Sequence, residues 1–184
     1  MKNKILYISS ICFLLFACTG EPDFSNIPEI SFNKIELFYP QTINKFGQLE
    51  KRDSVVITIN FQDGDGDLGA NLTQAEIYKL VQANDDRLKT FLVDTYVSKN
   101  NKFIKSNLAD PNGGFLPIRL KDGTKAGPIE GTIAYSAVYT YGLFGGDVLL
   151  KGKNDTLKFS VQIKDRALNK SNTVETTPVV VYAK

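Results

Sequence analysis

Asp53 to Gln62 reads DSVVITINFQ, with Val55, Ile57, Ile59 and Phe61 on one face of an extended chain and Val56, Thr58, Asn60 and Gln62 on the other. Successive side chains of a strand point to opposite faces, so this period of two predicts a half-buried strand. The pattern returns in DTLKFSVQIKD, Asp155 to Asp165, where Leu157, Phe159, Val161 and Ile163 alternate with Lys158, Ser160, Gln162 and Lys164. It returns again in GTIAYSAVYTY, Gly131 to Tyr141, which aligns Ile133, Tyr135, Ala137, Tyr139 and Tyr141. Three clean alternations argue for antiparallel sheets with one wet face.

Outward from these strands, Glu29 to Phe38 reads as the first strand, and Thr90 to Val97 with Lys102 to Lys105 as a hairpin over Ser98 to Asn101. Phe115 to Leu120 reads as an edge, and Thr173 to Tyr182 as the last strand. Pro178 lies inside that last run, which confines it to a sheet edge or a bulge. About seven strands separated by Gly, Asn and Asp clusters predict an all-β fold, a single immunoglobulin-like antiparallel β-sandwich, with a barrel as the alternative. One helical segment is expected, around residues 73–82. Thr73 and Glu76 have capping-box spacing there, and Leu72, Ile77, Leu80 and Val81 supply an apolar face.

Composition narrows the chemistry. The 184 residues include no His and no Trp, which excludes His-dependent catalytic triads and His-based zinc sites. Residues 1–17 read as an export signal: Lys2 and Lys4, an apolar run from Ile5 to Phe16, then Ala17 before Cys18. Leu15-Phe16-Ala17-Cys18 is similar to the lipobox of bacterial lipoproteins, which implies cleavage before Cys18 and acylation of its thiol. Removing the leader takes Lys+Arg from 22 to 20 against 20 Asp+Glu, so the positive balance belongs to the leader and gives no argument for nucleic acid. Residues 18–28 then form a lipidated tether containing Pro22 and Pro28, and residues 29–184 the folded domain. Thr19 beside the Cys, instead of an Asp, favours an outer-membrane address by the same likeness. The membrane is thus an expected partner through the N-terminal lipid.

The densest chemistry follows the deciding strand. Asp63-Gly64-Asp65-Gly66-Asp67-Leu68-Gly69 sets three carboxylates at alternate positions with glycines between them, a flexible run of hard oxygen donors suited to Ca²⁺. It is not an EF-hand: counting from Asp63, the sixth position is Leu68 and the twelfth Gln74. In a sandwich the loop after Ile163 lies at the same end, which brings Asp165, Asn169 and Asn172 toward the aspartates and Glu29 close to both loops. The competing reading is a solvated turn neutralised by Arg166 or Lys170.

These stretches resemble Gram-negative envelope lipoproteins carrying a cadherin-like or immunoglobulin-like domain, a group of mostly unassigned function. The likeness rests on FQDGDGDLG, GPIEGTIAYS, NDTLKFSVQIKDRALNKSN and VETTPVVV. It implies cation ligands at Asp63, Asp65, Asp67 and Asp165.

Three kinds of function are compatible with these residues. The first is a lipid-anchored, non-catalytic binding or structural module carrying Ca²⁺ at one loop end. The second is a glycan- or peptide-binding accessory of an envelope uptake or secretion assembly, stacking its ligand on Tyr135, Tyr139, Tyr141 and Phe144; exposed rings would favour it. The third is a hydrolase using Asp65 and Asp67 as acid and base, disfavoured because a wet glycine-flanked loop would leave both pKa values unraised.

Overall fold

The computed structural model describes residues 20–43, 46–47, 49–69, 72–83, 85–106, 127–140 and 154–181. In chain order the elements are β1 (Glu29–Phe38), β2 (Gln41–Ile43), β3 (Leu49–Asp63), α1 (Gln74–Gln82), a 3₁₀ turn (Asp86–Leu88), β4 (Phe91–Lys99), β5 (Lys102–Lys105), β6 (Ile129–Thr140), β7 (Asp155–Ile163), β8 (Val174–Glu175) and β9 (Val179–Val181). The expected edge strand Phe115 to Leu120 lies outside the described residues, as do Cys18, Tyr141 and Phe144.

Two antiparallel sheets account for the strands. In the first, β3 is central: β1 pairs with it from Ser54 to Gln62 and β6 from Arg52 to Asp63, while β2 pairs with Leu49 to Lys51. In the second the order is β5-β4-β7, with β8 and β9 both on the far edge of β7. Alternation in the sequence sets these faces. Val55, Ile57 and Ile59 of β3 and Leu157, Phe159, Val161 and Ile163 of β7 are fully buried and belong to one hydrophobic core. Phe91 of β4 and Tyr135 of β6 stack across the sheets, centroids 4.9 Å apart and planes 12° from parallel.

Local irregularities have local causes. In β1 the alternation of Ile30 and Phe32 breaks before Ile35 and Leu37, and the register with β3 shifts between Phe32 and Lys34. This bulge keeps Ile30, Ile35 and Leu37 against the core despite the odd spacing. The β4–β5 turn uses Asn100 and Asn101 at φ 50° and 61°, the left-handed conformation of a type I′ hairpin that Asn tolerates. The closing strand expected from Thr173 to Tyr182 is split into β8 and β9, because Pro178 has no N–H to offer the ladder. Between them Thr176 keeps the pairing, its N–H donating to the Phe159 carbonyl at 2.9 Å and its Oγ1 accepting from Phe159 N at 3.1 Å. Gly131 leaves room for the Phe61 ring beside it, since a Cβ there would lie 3.2 Å from that ring.

The helix forms with its predicted cap. Thr73 N donates to Glu76 Oε2 at 2.8 Å and Glu76 N to Thr73 Oγ1 at 3.3 Å, the reciprocal capping box. Leu72, Ile77 and Leu80 are half-buried, but Val81 is 55% exposed and does not belong to the inner face. Among the described residues no helix is long and apolar enough to cross a membrane.

Candidate cation site

Asp63 is the last residue of β3 and continues the inward series Val55, Ile57, Ile59, Phe61. Strand geometry therefore turns its carboxylate into the end of the sandwich, where it is fully buried. Asp165 does the same for β7: it follows the inward residues Leu157 to Ile163 by one more alternation and is 1% exposed. Beyond Asp63 the chain curls back through Gly66 at φ 68° and Gly69 at φ 77°, a left-handed backbone that costs glycine little. Fully buried Leu68 pins the curl to the core.

The curl gathers the acids. One ligating oxygen from each of Asp63, Asp65 and Asp67 lies within 4.8 Å of the others. Oxygens bound to one Ca²⁺ at 2.3–2.6 Å are at most about 5 Å apart, so the spacing suits a shared cation. Asp67 N donates to Asp63 Oδ2 at 2.9 Å and to Asp65 Oδ1 at 3.3 Å. Oδ1 of Asp63 and Oδ1 of Asp67 are buried with no hydrogen-bond partner. Buried carboxylate oxygens are almost always paired, and an unpaired one calls for a ligand or a proton.

Electrostatics points the same way. Burial, reinforced by the charges of Asp65 and Asp67, pushes the Asp63 carboxyl up to about 6. Asp67 is also raised, first by burial and then by Asp165 and Asp65, with the Arg166 charge acting against the rise. The expectation of a wet loop with unraised carboxyls is thus corrected for Asp67, which the curl carries inward beside Asp63.

The other expected site residues divide. Asp165 stands close enough to raise Asp63 and Asp67, so the two loops do meet. Its own oxygens are taken by Asn169, through N to Oδ1 and Nδ2 to Oδ2, both at 2.8 Å. Asn169 therefore orients Asp165 through its backbone N and its Nδ2. Asn172 grips β1, donating from Nδ2 to the Ile30 carbonyl and accepting from Ile30 N, both at 2.8 Å. Glu29 is exposed and not part of the cluster; opposite Gln62, it borders an open trough of about 600 Å³ on the outer face of the first sheet. The Arg166 side chain holds the backbone of the loop, its Nε donating to the Asp67 carbonyl at 2.7 Å, and Asp63 Oδ1 stays unsatisfied.

The aromatic set does not present a stacking surface in the described residues. Tyr139 is 2% exposed and Tyr135 is half-buried against Phe91, because both lie on the inner face of β6. Sequence reading missed three backbone grips on the Asp loop. Gly64 N donates to the Ser25 carbonyl at 2.8 Å, Gly127 N to the Asp65 carbonyl at 3.1 Å, and Arg166 holds Asp67. No local pattern signals them, since each partner is distant in sequence. No family model, curated protein or solved structure matches the chain.

Proposed function

We propose that this chain is a lipid-anchored, non-catalytic envelope module, held to the outer membrane through Cys18, whose β-sandwich is stabilised by Ca²⁺ at the Asp63–Asp65–Asp67 loop. It serves a binding or structural role. One observation carries the cation half: Asp63 is fully buried, and its Oδ1 has no hydrogen-bond partner beside two further carboxylates. A divalent cation would satisfy that oxygen and offset the burial and the repulsion from Asp65 and Asp67 that raise Asp63. The anchor half rests on the leader and the Leu15 to Cys18 pattern.

Catalysis by Asp65 and Asp67 is not favoured. Neither borders the trough by Glu29 or the hollow of about 200 Å³ formed by Leu72, Leu80 and Leu168, where a substrate would have room. The glycan- or peptide-binding alternative loses Tyr135 and Tyr139 to the core.

One experiment addresses both halves on the full chain. The wild type partitions with membranes and binds one Ca²⁺ in a calorimetric titration; Cys18→Ser leaves the membrane fraction, and Asp65→Asn loses the calcium heat. Membrane partition unchanged in Cys18→Ser contradicts the anchor, and absence of calcium heat in the wild type contradicts the cation site.

A further inference from the structure

The segment joining the anchor to the sandwich lies across the Asp loop. Gly64, between Asp63 and Asp65, gives its N–H to the Ser25 carbonyl at 2.8 Å. A Cβ on Gly64 would stand 2.3 Å from the Phe24 carbonyl oxygen and 2.9 Å from Asn26 Oδ1, so the two backbones meet only because position 64 has no side chain. The strap continues with Ile27 N donating to Ser25 Oγ at 3.0 Å, then with buried Pro28. It ends where Asn172 holds both backbone groups of Ile30. Residues 24–30 are therefore fastened by the two loops that carry the acids.

We propose that docking of this strap and cation binding at the Asp loop are coupled, so that the bound cation locks the domain's orientation relative to its anchor. The inference rests on the cation reading above. Its physical basis is that Gly64 is shared. A cation drawing Asp63 and Asp65 together fixes the backbone of the residue between them, and with it the N–H that the Ser25 carbonyl needs. Without the cation, mutual repulsion of the acids loosens that backbone and releases the strap. Linkage makes the effect reciprocal: whatever factor the cation adds to strap docking, strap docking adds to cation affinity.

The test is amide hydrogen exchange on the full chain at Gly64 and Ile27, with Ca²⁺ and with chelator, beside calcium titrations of the wild type, Gly64→Ala and Asn26→Ala. Ser106, whose N–H donates to the Thr95 carbonyl in the second sheet, is the remote control. The expected result is exchange at Gly64 and Ile27 slowed by about 5-fold or more with Ca²⁺, beyond any change at Ser106, and a similar loss of calcium affinity in Gly64→Ala. The wild-type exchange decides the matter even where Gly64→Ala misfolds. Calcium binding with no selective slowing, and with unchanged affinity in both variants, overturns the coupling and leaves the cation site standing. No calcium binding by the wild type removes both.

Discussion

A carboxyl raised to about 6 by burial and neighbouring acids holds its proton more tightly in the folded chain than in the unfolded one, where the ordinary value is 3.8. Between those two values the folded state binds more protons, so the contribution of Asp63 to stability falls as pH rises from about 4 to about 6. Above that window it stays lost. A shift of about two units corresponds to about 3 kcal/mol. Asp63→Asn removes the charge and keeps an oxygen for the Asp67 N–H. In chelator at pH 7 the variant is therefore expected to melt several degrees above the wild type, and at pH 4 the two converge. Melts across that range check this; parallel curves would show that Asp63 carries no such penalty. The burial of Asp63 was legible from sequence, because it extends an alternation already visible from Val55 to Phe61. An alternation read only as far as Gln62 leaves Asp63 in the loop, one residue beyond the strand that in fact includes it.

At the scale of elements, the alternating strands and the capping box were readable because each depends on residues two to four apart. The bulge in β1 and the split of β8 from β9 had visible causes in the spacing of Ile30, Phe32, Ile35 and Leu37 and in Pro178. What holds β1 at its start was not readable, since Asn172 is 142 residues from Ile30. Its amide acts as a piece of neighbouring strand, donating and accepting as a backbone would. Asn172→Ala leaves both Ile30 groups without that partner and is expected to cost about 1–3 kcal/mol. A lowered urea midpoint with an unchanged slope checks it; a midpoint within error of the wild type would show that the grip contributes nothing.

Across the whole molecule, both central strands bury acids in the same place. Asp63 closes the inward series of β3 and Asp165 that of β7, and the sandwich brings these ends together with the strap of residues 24–30 that precedes β1. The sequence pattern foretold that the two loops share an end; the three long-range grips on the Asp loop depend on tertiary closure and leave no local trace. On the cation reading proposed above, a sandwich that gathers four acids at one end, with Asp63 Oδ1 unpaired, is expected to be more stable with a cation than without one. The most direct measurement is a thermal melt of the full chain in detergent with excess Ca²⁺ and with chelator, beside Asp65→Asn. At a hundredfold excess over Kd the bound ion adds about 2.7 kcal/mol. That raises Tm by roughly 5–11 °C in a domain of this size, and Asp65→Asn is expected to lose the rise. Wild-type melts that superimpose in calcium and in chelator would contradict the account.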